Sequence, residues 1–295
     1  MGDHDQASGG GWAGLVDVGV NLTSSRFERD RDEVVARARA AGVAGLVVTG
    51  VDERGSREAL ALCGRYRGSG VGVWCTAGVH PHDSAGVAGD AGWVGRLRAL
   101  CGEGRGAVVA VGECGLDYER DYSPRAAQRA AFEAQLDLAA ELGLPVFLHE
   151  RGAHEEFFSI LSGRWGALRG GVVHCFTGGP AALERYLGLG CYVGVTGWVC
   201  DERRAGDLRA AAAGLPLGRV LVETDAPYLL PRTLRPRPRD GRNEPSLLPH
   251  VVESLAGFMG VGAGELGRAS AENARALFGL EGLEGAAGRA QGGGR

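Results

Sequence analysis

Several positions in this chain carry side chains that could hold a cation or move a proton, and each closes a short apolar run: His80, Glu113, His149, His174 and Asp225. The last of these runs, Val220-Leu221-Val222, gives way to Glu223-Thr224-Asp225-Ala226-Pro227. Pro227 forbids further strand pairing, so two carboxylates sit where a buried strand surfaces. Taken alone, this stretch reads equally well as a capped turn, with Asp225 bonding a backbone amide and Glu223 facing solvent. Recurrence of the pattern at other run ends argues for shared chemistry. Two imidazoles and two carboxylates, from Glu113, His149, His174 and Asp225, suit a Lewis-acidic divalent metal. Such an ion lowers the pKa of a water and neutralises charge building on a substrate.

His80 and His82 flank Pro81, whose fixed φ leaves the chain few conformations; one ring is expected at the site and the other in solvent. His80 either supports the ligands from behind or contacts a phosphate, against the plain alternative of a loop cap. His154 divides evenly between a site role and a helix start, while His4 and His250 read as structural. Arg151 follows His149 closely, Arg203 and Arg204 follow the seventh run, and Arg232, Arg235, Arg237, Arg239 and Arg242 lie after Asp225. A charge run is usually a solvated face. In a chain of net charge −4, arginines gathered beside a metal site suit a polyanion gripped by forked guanidinium donors. Phe176, Trp198 and Tyr228 follow the last three runs, as core or rim filling or as rings that stack unpaired bases.

The elements that must position these groups alternate. Apolar runs over 15–20, 43–50, 71–78, 107–112, 144–148, 171–173, 192–196 and 220–222 predict strands. Amphipathic stretches over 27–41, 54–66, 90–101 and 125–142 predict helices, with Ser24 or Ser25 capping the first and Pro124 in the first turn of the last. Closing helices are expected over 247–259 and 265–277. This alternation predicts a single-domain (β/α)8 TIM barrel, whose strand C-termini converge on one mouth. The expected organisation is a flexible leader over 1–14, the barrel over 15–280 and a disordered tail over 281–295.

The 295 residues contain no lysine, which removes P-loop, Schiff-base and carbamylated-lysine chemistry. Seven cysteines without a Cys-x-x-Cys pair read as reduced thiols in a cytoplasmic protein. The polar, Gly-rich start is unlike a secretory leader, and no run reaches the roughly 18 apolar residues of a membrane span. Neither a membrane nor a second copy is an expected partner.

Together the motifs resemble the TatD family of metal-dependent deoxyribonucleases, over about 15–280. The resemblance rests on Asp17-Val18-Gly19-Val20-Asn21-Leu22, Gly78-Val79-His80-Pro81-His82, Gly112-Glu113-Cys114-Gly115-Leu116-Asp117, Pro145 to His149, His174-Cys175-Phe176-Thr177-Gly178, Glu223-Thr224-Asp225-Ala226-Pro227-Tyr228 and Arg242-Asn243-Glu244-Pro245. It implies a TIM barrel that hydrolyses DNA phosphodiesters, with metal ligands at Glu113, His149, His174 and Asp225. Most relatives carry a His-x-His pair where this chain has Gly19 and Asn21, and a Cys is common where it has Glu150. The first departure, with Thr196-Gly197-Trp198-Val199-Cys200-Asp201-Glu202-Arg203-Arg204, is similar to the TatD-proper subgroup. That subgroup implies a magnesium-dependent 3′ to 5′ exonuclease on single-stranded DNA and on RNA, with a role in DNA repair. Two imidazoles also suit manganese or zinc.

The expected chemistry is in-line attack of water on a phosphodiester. Asp225 binds the ion and accepts the proton, Glu113 and His174 hold the ion, and His149 ligates it and polarises the phosphoryl oxygen. His80, Asn21, Arg151, Arg203, Trp198 and Tyr228 are the expected substrate contacts. The rival readings are an amidohydrolase acting on a cyclic amide or ester, and a non-catalytic nucleic-acid-binding scaffold. The missing His pair and lysine and the Arg-rich loop weigh against the first; metal-stimulated cleavage would separate the second.

Overall fold

The structure, a computed structural model, describes Trp12 and residues 14–280. The expected leader and tail fall mainly on residues 1–11, 13 and 281–295, outside the described residues. One sheet of eight parallel strands runs in sequence order: β1 (Leu15–Val20), β2 (Val43–Val48), β3 (Gly72–Ala77), β4 (Val108–Asp117), β5 (Val146–Arg151), β6 (Gly171–Val173), β7 (Tyr192–Val195) and β8 (Val220–Val222). A parallel bridge between Val20 and Ala226, with Asp225 N donating to Gly19 O at 2.8 Å, brings β8 back to β1. The helices between them are α1 (Arg31–Ala40), α2 (Glu53–Arg65), α3 (Trp93–Glu103), α4 (Arg125–Leu142), α5 (His154–Arg164), α6 (Pro180–Leu189) and α7 (Gly206–Ala212). They are followed by α8 (Leu248–Met259) and α9 (Ala263–Phe278). This is the (β/α)8 barrel that the alternation predicts.

Boundaries shift where side chains compete with local propensity. The first helix starts later than expected: Ser24 caps a single 3-10 turn over Ser25–Phe27, which buries the Phe27 ring, and α1 begins at Arg31. Pro124 takes the cap position of α4 rather than its first turn. Ser123 is buried, and its hydroxyl donates to His82 O at 2.6 Å. β4 runs five residues past its expected end, and Gly115 lets it lie close to β5: a Cβ there would collide with the His149 carbonyl. Among the described residues no single helix is long and apolar enough to cross a membrane.

Strand alternation divides the interior in two. One face of each strand packs against the surrounding helices. On the other, Val16, Val18, Val47, Val109, Phe147, Val172 and Leu221 form a buried cluster with Ala271, Ala274, Leu277 and Phe278 of α9. Phe147 rises from this cluster to stack on His174, with ring centroids 4.7 Å apart, so the apolar interior ends directly beneath the polar residues. Outside the barrel, Phe132 of α4 stacks on Phe157 of α5 at 4.9 Å and 8°.

The long loop between β8 and α8 is tied to α1 by charge. Arg242 donates to both Asp30 oxygens at 2.7 and 2.6 Å and to Glu244 at 2.7 Å. Arg37 makes a two-pronged pair with Glu244 at 2.8 and 2.9 Å. The Arg242 hydrogen bonds hold the Asp30 carboxyl at about 2, below its ordinary 3.8.

Replacing the fully buried Phe132 by Ala should cost about 3–5 kcal/mol in urea denaturation with an unchanged m-value; a loss below about 1 kcal/mol would contradict the packing described. Because the Asp30 pKa is depressed, its pairing stabilises the fold above its ordinary value and is lost as pH falls through the folded value. Asp30→Asn should therefore be less stable than the parent at about pH 6, and the gap should close by about pH 2. A gap that does not change with pH would rule out that ion-pair contribution.

Candidate metal centre

Glu113 lies in the lengthened β4, at a register shift against β5 between Val111 and Cys114. Its side chain is buried, and its Oε1 is 2.7 Å from both His149 Nδ1 and His174 Nε2. Three strands thus deliver one carboxylate oxygen and two ring nitrogens to one point. Each ring has a second carboxylate behind it. His174 Nδ1 is 3.4 Å from Glu223 Oε2, and His149 Nε2, buried and without a hydrogen bond among the described residues, is 3.5 Å from Asp117 Oδ2. A carboxylate near the far nitrogen is the arrangement around metal-ligating histidines, whose near nitrogen gives up its proton when a cation binds. The donors fit a divalent cation.

Electrostatics follow from this crowding. Burial alone would raise the Glu113 pKa, but His174 and His80 outweigh it and hold the carboxyl well below the usual range. Burial alone would lower the His174 pKa, yet Glu113 and Glu223 hold it well above. His149 is likewise raised, its burial outweighed by Asp117 and Glu113.

His80 has the opposite polarity. Its Nδ1 accepts a hydrogen bond from His82 N at 3.0 Å, so the neutral ring carries its proton on Nε2. That Nε2 is 3.3 Å from Glu113 Oε1 and 3.3 Å from His149 Nδ1. By distance alone His80, Glu113 and His149 form a ligand group, their atoms all within 4.8 Å of one another. The backbone bond nevertheless makes His80 Nε2 a donor, whereas a ligand needs a lone pair. Burial brings its pKa down to about 4 against the pull of Glu113, so the ring is neutral near pH 7.

Asp225 and His174 are not within 4.8 Å of all three atoms of that group. Asp225 Oδ1 accepts from Asn21 Nδ2 at 2.8 Å, and the residue adopts a left-handed φ of 53°. Burial, then the charges of Glu113 and Glu223 against that of His174, raise its pKa to about 7. Its backbone is fixed from both sides. Asp17, fully buried, takes Thr224 Oγ1 at 2.6 Å and Thr224 N at 2.9 Å, and Asn243 Nδ2 donates to Thr224 O at 2.9 Å. Asn21 therefore serves Asp225.

Glu223 is fully buried, which removes the solvent-facing alternative for it. Its Oε1 accepts from Cys175 N, and its carboxylate fills space left by two glycines: a Cβ at Gly19 would collide with Oε2, and one at Gly194 would lie 2.7 Å from Oε1. Both rings of the His80-Pro81-His82 segment turn toward the site, contrary to the expectation of one in solvent, because His82 Nε2 bonds Asp117 Oδ2 at 2.7 Å. Asp117 and His82 carry roles that sequence reasoning missed. So do Gln128 and Gln135 of α4, which clamp the backbone of Asp117 and Val79. Their signal was present: two glutamines seven residues apart on an otherwise apolar stripe.

The expected substrate contacts fare unevenly. Arg151 spends its fork on Glu119, at 2.8 and 2.8 Å. Arg204 covers the Trp198 ring at 4.3 Å and bonds Asp201, and Arg232 also reaches toward Asp201. Arg203 is 60% exposed and only 3.6 Å from Asp201. Phe176 is core, whereas Tyr228 is exposed. His154 begins α5 and bonds the Tyr186 hydroxyl at 2.9 Å.

The chain is 50% identical over 268 residues to the 3′-5′ ssDNA/RNA exonuclease TatD of Pectobacterium parmentieri, spanning 90% of this chain and 100% of that protein. It is 49% identical over 267 residues to the protein of the same name from Klebsiella pneumoniae, spanning 90% and 98%. Among solved structures, YJJV, a TatD homolog from Escherichia coli, superposes with a TM-score of 0.80 at 29% identity, over 90% of this chain and 98% of that one. The family described as TatD related DNase matches residues 16–279, so a barrel holding Glu113 between two carboxylate-backed histidines belongs to that family.

Proposed function

We propose that this chain is a metal-dependent 3′ to 5′ exonuclease that hydrolyses phosphodiesters of single-stranded DNA, and of RNA as well. The observation that carries the reading is the convergence of His149 and His174 on Glu113, each ring backed by its own carboxylate. The names of the half-identical relatives supply the substrate class and polarity. Glu113, His149, His174 and Asp225 hold the cation, magnesium by family, with manganese or zinc accepted by the imidazole pair. A divalent cation bound there supplies charge neutralisation at the phosphoryl group and acidifies a water.

The side chains divide the remaining work. Asp225, held by the Asn21 amide at 2.8 Å, is placed to take the proton of the attacking water. Neutral His80 points an Nε2–H at the same place, a donor for a phosphoryl oxygen that does not repel the cation. Asn21 keeps Asp225 in place, while Arg203, Trp198 and Tyr228 line the approach for the strand. Arg151 contributes by bracing the β5 end through Glu119, a more modest part than gripping phosphate. Removal of damaged 3′ ends in DNA repair and a cytoplasmic setting accord with this activity.

A 5′-labelled single-stranded oligonucleotide incubated with a panel of divalent cations should shorten stepwise from its 3′ end, a duplex should resist, and a chelator should stop the reaction. Cleavage that survives chelation, or internal cuts alone, would overturn the reading. Asp225→Asn should lower kcat by at least about 100-fold while the strand still binds, measured by single-turnover cleavage and anisotropy; unchanged turnover would remove Asp225 from the role. Glu223→Gln should weaken cation binding roughly 10- to 100-fold in competition with a chromophoric chelator. Unaltered binding would show that His174 needs no support from behind.

A further inference from the structure

Tyr122 is 66% exposed, although a tyrosine ring is costly to leave in water. A loose loop would account for this, but residues 118–124 are held firmly. Asp117 Oδ1 accepts from the backbone of Glu119 and Arg120 at 3.1 and 2.8 Å. Gln128 Nε2 donates to the carbonyls of Asp117 and Ser123 at 3.2 and 2.9 Å. Ser123 Oγ ties the loop to the segment after β3 by donating to His82 O at 2.6 Å and accepting from Ala85 N at 3.1 Å. Between these anchors Asp121 adopts a left-handed φ of 53°, and the chain turns Tyr122 outward.

The ring also has a fixed relation to the metal centre. It meets His82 edge to face at 4.7 Å; His82 meets His80 at 4.3 Å, and His80 meets His149 at 4.5 Å. A ladder of four rings thus runs from solvent to the ligand His149. His82 is held in it by Asp117, whose same oxygen faces His149. The outermost rung is flat, uncharged and rigid, the properties that let an aromatic side chain stack any nucleobase with little ordering cost.

We propose that Tyr122, supported by His82, is a stacking platform for an unpaired nucleobase beside the scissile phosphate. The proposal rests on the exonuclease reading of the metal centre. A base within a duplex cannot reach such a platform, so the ring selects single strands by a contact that ignores sequence.

The test uses the full-length protein with its cation and compares Tyr122→Ala and Tyr122→Phe on a normal single-stranded oligonucleotide and on an abasic strand of equal length. Tyr122→Ala should raise KM on the normal strand roughly 5- to 150-fold with kcat within about twofold, and Tyr122→Phe should stay near the parent. On the abasic strand all three proteins should match. Equal KM for parent and Ala variant on the normal strand, or the same loss on the abasic strand, would overturn the platform while leaving the exonuclease reading intact. A parent protein that cleaves neither strand with any cation would overturn both.

Discussion

The structure depends on one carboxylate being kept charged inside the protein. Glu113 is buried within β4, where an unpaired anion would cost at least several kcal/mol. It is compensated by His149 and His174, each within 2.7 Å, and those rings in turn need Asp117 and Glu223. The compensation therefore extends outward through β4, β5, β6 and β8. Such a network tolerates little: removing any one partner leaves the others buried without compensation. It also leaves near nitrogens and a carboxylate oxygen facing one point, which is what a cation requires.

Residue type did not decide what each imidazole does; its second partner did. His174 and His149 have carboxylates behind them and turn their near nitrogens onto Glu113 Oε1, at 2.7 Å each. His80 has the His82 amide behind it and directs a proton inward. His80 Nε2 lies as near Glu113 as a third donor would, but its hydrogen-bond polarity separates it from His149 and His174. The same segment sends His82 toward Asp117 and so joins the ring ladder that ends at Tyr122.

The arginines teach the converse lesson. Their clustering after Asp225 reads as a polyanion grip, and Arg235, Arg237 and Arg239 of that loop are exposed, whereas Arg242 and several arginines elsewhere are taken up in internal pairs. Arg242 and Arg37 pin the loop to α1 through Asp30 and Glu244, Arg151 is committed to Glu119, and Arg204 to Asp201 and Trp198. In a chain with slightly more acids than bases, about half of the guanidinium groups among the described residues have a nearby carboxylate, and exposed pairs of this sort contribute little stability each. Their value at Arg242 is placement of the loop that follows Asp225.

The sequence by itself determined the barrel and pointed to most of the residues proposed as donors. Parallel strands buried on both faces must be short apolar runs between helices, so Glu113, His149, His174 and Asp225 were legible as residues closing apolar runs, although β4 and β5 continue past Glu113 and His149. Only the tertiary structure decided which nitrogen each ring presents, that Glu223 and Asp117 stand behind His174 and His149, that Gly19 makes room for Glu223, and that Tyr122 is held out in solvent. These are relations between residues distant along the chain, set by which atoms the closed barrel brings within hydrogen-bond reach. Alternation and propensity carry no information about them.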